Sequence, residues 1–320
     1  VRTPRGTIAE TSAQPSDPSV TRVKSLQMEF DPRAEIAKIF DFTPRETAST
    51  VTVKQMDYFQ RIKLDEFLRQ GWVGKKKEFL APNIITMVRF SSQVIRTVQN
   101  AILRELDLAR RAFRLRYFIE VAQVMREFNN FEGLKCILTA LSSQPIFRLK
   151  DTWDVLDETV RERFNALFDL VAQDNNFARL REMVQLAPLP TIPFIGSVLT
   201  DLIYTDEGNA SEINGGINFY KVRFIGNIVL QIQRQQQCPY QLTVPPSSQD
   251  GWTLVGLVDD EDKLHDLSTT LEPPRSKSVV SKNDMQGRAA VQAAAQDDRQ
   301  APQGVRRHVQ GPSQEVAPRG

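Results

Sequence analysis

Few side chains in this 320-residue chain could carry out covalent chemistry. It holds two cysteines, Cys136 and Cys238, and two histidines, His265 and His308. Two thiols exclude a disulfide framework and argue against a cysteine-based zinc site. Two histidines argue equally against a His-ligated metal centre or His-driven hydrolysis. The phosphate-cradling G-x-x-x-x-G-K-[ST] loop, the dinucleotide fingerprint G-x-G-x-x-G and the zinc motif H-E-x-x-H are all missing. So are the nucleophile elbow G-x-S-x-G and the kinase signatures. Acidic pairs are plentiful, but any chain of this size has them. Lys75-Lys76-Lys77 follows Gly74 and reads as a solvated loop, with anionic lipid or an acidic partner as the sharper alternative. One acidic cluster has a more defined setting. Asp206-Glu207-Gly208-Asn209 ends an apolar helical stripe of Val198, Leu199, Leu202 and Ile203, and Asn214-Gly215-Gly216 follows before a further helical repeat. That pattern predicts a helix–loop–helix hairpin with acids at its tip. A helix C-terminus disfavours carboxylates, so helix stability does not explain Glu207.

The elements that must position these residues are helical. Val94, Val98, Ala101 and Ile102 share one face, as do Leu115, Phe118, Ile119, Ala122 and Met125. Leu134, Ile137, Leu138 and Leu141 repeat the pattern, followed by Phe164, Leu167, Phe168 and Val171, and then by Val222, Ile225, Val229 and Ile232. Asn129-Asn130, Ser142-Ser143-Gln144-Pro145 and Ala187-Pro188-Leu189-Pro190 break the helices. Clear alternating strands are absent. An all-α domain of about eight to eleven irregular helices is expected, with a protruding helical hairpin. Cys136 falls mid-helix near the core and reads as inert. His265 reads as a hydrogen-bonded structural histidine.

Charge and composition narrow the class further. The 41 Lys and Arg nearly balance the 39 Asp and Glu, for a net charge of +2, which argues against a protein that coats nucleic acid. No apolar run approaches the roughly 20 residues of a membrane span, and no signal-peptide pattern opens the chain, so a cytoplasmic address is expected. Residues 1–25 hold no aromatic, nor does the stretch from Glu272 to Gly320. Such segments bury too little apolar area to offset chain entropy. The expected organisation is a mostly disordered segment over 1–40, a folded domain over 41–271 and a disordered tail over 272–320.

Several stretches together carry a family resemblance. Arg114 to Trp153 reads RLRYFIEVAQVMREFNNFEGLKCILTALSSQPIFRLKDTW. It resembles the central block of the catalytic domain of Ras-family guanine-nucleotide exchange factors of the son-of-sevenless type. Asn129-Asn130-Phe131 stands between two apolar helices, and Arg148-Leu149-Lys150 precedes Thr152-Trp153. Pro44 to Leu68, PRETASTVTVKQMDYFQRIKLDEFL, is similar to the family's opening segment. Pro193 to Asn209, PFIGSVLTDLIYTDEGN, is similar to its hairpin segment. Ile217-Asn218-Phe219, Cys238-Pro239-Tyr240 and Lys263 to Pro273, KLHDLSTTLEP, follow in family order. The resemblance spans Pro44 to Pro274. It departs at Ser91, where the family often has Asn, and at Val51-Thr52, where Leu-Thr is usual.

The resemblance implies an exchange factor that promotes GDP release from a Ras-family small GTPase of the Ras, Rap or Ral type. It implies no cofactor, no metal of the factor's own and no covalent chemistry. A membrane would enter only indirectly, through the lipidated GTPase, on its cytosolic face. In the family the hairpin inserts at the GTPase's magnesium and phosphate site. An apolar side chain crowds the magnesium, and a glutamate one turn later bonds the phosphate-loop hydroxyl. Matching residue by residue puts those roles on Ile203 and Glu207. Phe194 matches an aromatic that grips the second switch, and Leu199, Thr200 and Asn209 fall on the same GTPase-binding segment. Asn129, Asn130, Arg148 and Trp153 carry the signature structurally: the asparagines as cap and turn, Trp153 as packed, Arg148 as paired to a carboxylate. The rival readings are a GTPase-binding scaffold without exchange activity, an unrelated helical adaptor, and a helical hydrolase using an acid pair.

Overall fold

The computed structural model describes residues 36–68, 70–248 and 260–274. Among them are twelve α-helices and a single two-stranded ladder, so the domain is all-α. The helix count exceeds the expected range because α2 (Lys77–Leu80), α6 (Gln144–Phe147) and α7 (Lys150–Asp154) are too short to show a period. Residues 1–35 and 275–320, where disorder is expected, lie outside the described residues. Residues 36–41 fold as a helical turn, with Ile36 and Ile39 buried.

Local chemistry starts several of the long helices. α1 (Pro44–Arg61) opens with a capping box: Thr43 Oγ1 accepts from the Glu46 amide, and Glu46 answers the Thr43 amide at 2.8 Å. Pro44 at the first helical position needs no hydrogen-bonded amide. α3 (Pro82–Leu103) also begins at proline, and Asp107 caps α4 (Leu108–Glu127). α5 (Phe131–Ser142) is buried nearly all round, so it is the axis of the domain; α3 and α4 flank it and α1 packs across both. α8 (Glu158–Leu170) packs on α4, and α9 (Asp174–Leu186) continues towards the hairpin. α12 (Glu261–Leu271) lies against α3 and α6. Just beyond α12, the buried Glu272 carboxylate accepts from the Asp151 and Thr152 amides, both at 3.0 Å, and from Thr152 Oγ1 at 2.7 Å. The buried Arg111 guanidinium completes this knot at 3.4 Å.

The apolar interior divides in two. The larger cluster gathers α3, α4, α5 and α8. The smaller joins Met56, Phe59 and Ile84 to Ile195, Leu199, Leu202 and Ile232. That second cluster roots the hairpin formed by α10 (Ile195–Gly208) and α11 (Phe219–Gln236).

Tyr117 of α4 shows what burial does to a titrating group here. Its hydroxyl lies 2.6 Å from Thr47 Oγ1 and donates to the Phe42 carbonyl at 2.9 Å. Burial pushes the phenol up to about 12. A raised acid contributes stability that is full below the ordinary tyrosine value and is lost as pH climbs through the folded value. Tyr117 should therefore cost on the order of 2 kcal/mol of stability between about pH 10 and 12, and Tyr117→Phe should make the total loss shallower, the remainder coming from Tyr240, whose phenol burial also raises. Melting curves across the window decide it; an unchanged slope in the variant rejects the assignment.

Candidate functional site

The site is built from its foundation upward. Asn129 turns the chain between α4 and α5 with a left-handed φ of 56°, a conformation asparagine tolerates. Its carbonyl accepts from the Ile192 amide at 3.1 Å, and the Phe131 amide donates back to Ile192 at 2.9 Å. Asn130 caps α5 through the Gly133 amide at 2.8 Å, and its amide group donates to Thr52 and Gln55 of α1. An added Cβ at Gly133 would come within 2.7 Å of both Asn130 Nδ2 and Met125 Sδ, so only glycine fits there. The asparagine pair thus turns the chain, caps α5 and pins the segment that enters the hairpin.

Phe194 occupies the N-cap position of α10 and cannot cap it with its side chain. Buried Glu132 takes over that role from α5. It accepts from the Ile195 amide at 2.8 Å and from Ser91 Oγ at 2.5 Å. A carboxylate at a helix N-terminus also favours the dipole, while burial pushes the Glu132 carboxyl above its usual range. No helical period singles out Glu132; its only sequence signal is an acid directly after Asn-Asn-Phe on a mostly apolar helix. The family departure at Ser91 falls on this same contact. Glu132→Ala should lower stability by about 2–4 kcal/mol, since it leaves the Ile195 amide unmatched. Glu132→Gln keeps an acceptor and should recover most of the loss in denaturant titrations. Equal destabilisation by both variants would contradict the capping role.

Ring packing sets the base of the hairpin. Phe194 meets Phe177 edge-on at 5.6 Å between centroids. Phe177 is delivered by a left-handed turn over Asn175, Asn176 and Phe177, each with φ between 50° and 59°. Arg181 of α9 pairs with Asp201 of α10, a second tie across the same junction. At the other foot, Gln236 donates to the Phe59 and Ile62 carbonyls, and the Tyr240 hydroxyl donates to the Phe128 carbonyl at 2.7 Å.

The hairpin tip is a β-turn ladder, which the helical reading did not foresee. β1 (Glu212–Ile213) pairs with β2 (Gly216–Ile217) around Asn214-Gly215, with φ of 53° and 77°. Positive φ at both central residues is what an Asn-Gly hairpin turn supplies. Asn218 then caps α11. Val222, expected to face inward, is 53% exposed, whereas Ile232 is buried.

The acids at the end of α10 divide into two kinds. Asp206 pairs with the buried Lys221 of α11 at 2.7 Å, and Lys221 also donates to the Asp206 carbonyl and to Ser211. The Lys221 hydrogen bond holds the Asp206 carboxyl below its ordinary range. Glu207 has no cation among the described residues; Gln70 Nε2 reaches it at 3.5 Å and Asp206 at 3.3 Å. Its charge is therefore presented to solvent. Ile203 is half-buried one turn earlier on the same helix. Thr200 bonds back to the Gly196 carbonyl, and Asn209 closes α10 through the Thr205 carbonyl. Leu199 is turned inward, into the smaller cluster.

Arg148 and Trp153 stand apart from the hairpin. Trp153 is packed as expected, against Phe164 at 4.7 Å, with its indole N–H on the Ile146 carbonyl. Arg148 bonds the Ser268 hydroxyl at 3.0 Å and not the expected carboxylate; Glu272 is engaged by Arg111. Cys136 is buried and its thiol is pushed up by burial, in keeping with an inert role. The buried Nδ1 of His265 has no hydrogen-bond partner among the described residues, contrary to expectation.

This chain belongs to the RasGEF domain family, which matches residues 46–223. Among its relatives, Ras-specific guanine nucleotide-releasing factor 2 of Danio rerio is 31% identical over 249 residues, covering 78% of this chain and 20% of that protein. Ras-specific guanine nucleotide-releasing factor RalGPS1 of Mus musculus is 33% identical over 301 residues, covering 89% and 51%. Ras guanine nucleotide exchange factor C of Dictyostelium discoideum is 36% identical over 202 residues, covering 63% and 14%. The chain thus spans between about a seventh and a half of these relatives' lengths.

Proposed function

We propose that this chain promotes nucleotide release from a Ras-family small GTPase of the Ras, Rap or Ral type, acting through the α10–α11 hairpin. The division of the two acids carries the reading: Asp206 is neutralised by Lys221, while Glu207, one turn from Ile203, meets no cation among the described residues. A GTPase holds its nucleotide largely through magnesium and phosphate contacts. Ile203 would crowd the cation and Glu207 would take the phosphate-loop hydroxyl that anchors it. A unit charge a few ångströms from the vacated phosphates opposes their return by roughly 1–4 kcal/mol. Acceleration requires tighter binding to the nucleotide-free state than to the loaded one. No covalent bond is made or broken, and the hairpin needs no cofactor. Among the described residues no helix is long and apolar enough to cross a membrane, which fits a protein working in the cytoplasm.

Release of a fluorescent guanine nucleotide from Ras, Rap and Ral proteins tests the reading. Acceleration on at least one of them is expected. Binding without acceleration would leave a scaffold; no binding to any would remove the assignment.

A further inference from the structure

Residues 72–80 form an excursion from the core with both feet fastened and the tip bare. Gly71 and Leu80 touch so closely that an added Cβ at Gly71 would lie 3.2 Å from the Leu80 Cβ. Trp72 packs on the smaller apolar cluster. From Val73 to Leu80 every residue is exposed. Gly74, with φ of 83° and open space around it, turns the chain at the tip. Phe79 is 85% exposed, more than any other large apolar side chain described. It belongs to neither cluster. Lys75, Lys76 and Lys77 have no ion pair among the described residues, and the neighbouring Glu78 is already answered by Arg89 at 2.7 Å.

From this geometry we infer that the Val73–Phe79 loop binds the surface of an anionic lipid bilayer. Three adjacent lysines on flexible stems suit a diffuse negative field of mobile headgroups. A protein partner would favour arginine, since lysine is depleted at protein interfaces. An aromatic ring beside the lysines is the side chain that settles at headgroup depth. The loop also adjoins the hairpin: Gln70, at its foot, contacts Asp206 and Glu207. A loop seated on the bilayer holds the end of α10 close to the lipid surface. The lipid contact goes beyond the exchange reading and stands without it; its benefit for a membrane-bound GTPase rests on that reading.

Co-sedimentation of the full chain with vesicles, without any GTPase, tests the contact. Binding should be strong to phosphatidylcholine vesicles containing phosphatidylserine, weak to phosphatidylcholine alone, and lower as salt rises. Combining Lys75→Glu, Lys76→Glu and Lys77→Glu should lower anionic-vesicle binding on the order of 100-fold, about fivefold or more per lysine. Phe79→Ser should lower it about tenfold and leave the salt dependence in place. Release of nucleotide from a lipid-free GTPase in solution should be the same for parent and both variants. No preference of the parent for anionic vesicles, or equal binding by parent and charge-reversed chain, overturns the inference. So does a loss of soluble-GTPase exchange in the charge-reversed chain, which would assign the loop to an acidic face of the GTPase.

Discussion

Glu207→Ala should slow catalysed nucleotide release by about ten- to a hundredfold. Glu207 is the acid at the end of α10 whose charge no cation among the described residues answers, whereas Asp206 is tied to Lys221. Removing it deletes one charge-assisted hydrogen bond, worth roughly 1.5–3 kcal/mol, and most of that is felt at the step where nucleotide leaves. The apolar grip elsewhere is untouched, so affinity for nucleotide-free GTPase should survive largely intact. Asp206→Ala makes the contrast: it leaves Lys221 buried without its carboxylate and should loosen the hairpin itself, so thermal stability should fall alongside activity. Ile203→Ala should be milder than Glu207→Ala, because a shorter side chain still crowds the cation. Added magnesium should inhibit Ile203→Ala more than the parent. A Glu207→Ala chain that releases nucleotide at the parent rate would sink the role given to this residue.

Phe194→Ala should weaken binding to nucleotide-free GTPase by about 2–4 kcal/mol, in the range of aromatic anchors. The ring is half-buried and rests edge-on against Phe177, so melting should fall only modestly. Gly196 offers an independent check. A Cβ there would lie 2.4 Å from the Phe194 ring tip, so Gly196→Ala must push the ring aside. Alanine is also the better helix former, by about 1 kcal/mol. Gly196→Ala should therefore mimic Phe194→Ala in binding while keeping α10 intact. If Phe194→Ala collapses melting, the ring is core and not grip.

The long helices and one tight turn were legible in the sequence because both follow from local signals. Leu134, Ile137, Leu138 and Leu141 mark one face of α5 by spacing alone, and Asn214-Gly215 marks a tight turn by its backbone freedom. What was not legible depends on distant partners. Glu132 meets the Ile195 amide from 63 positions away, a link that no periodicity reveals. Asp206 and Glu207 look alike as neighbours, and only Lys221, arriving from the return helix, makes them different. Arg148 was expected to find a carboxylate, but its partner is the Ser268 hydroxyl, 120 positions along the chain. Val222 fits an apolar repeat, yet α11 rolls so that it faces solvent.

The knot around Glu272 bears on how this chain can be shortened. A gene cut after Leu271 would encode every described helix of the domain and still omit its fastening. Arg111, only 3% exposed, would keep its charge and lose the carboxylate opposite it. Stranding a buried charge in this way costs about 3–5 kcal/mol, a large share of what keeps a domain folded. The amides of Asp151 and Thr152 would lose their acceptor in the same stroke. Expression of a minimal version therefore turns on one residue beyond the last helical turn, and a trimmed chain that retains Glu272 should express and store far better than one that stops just short of it.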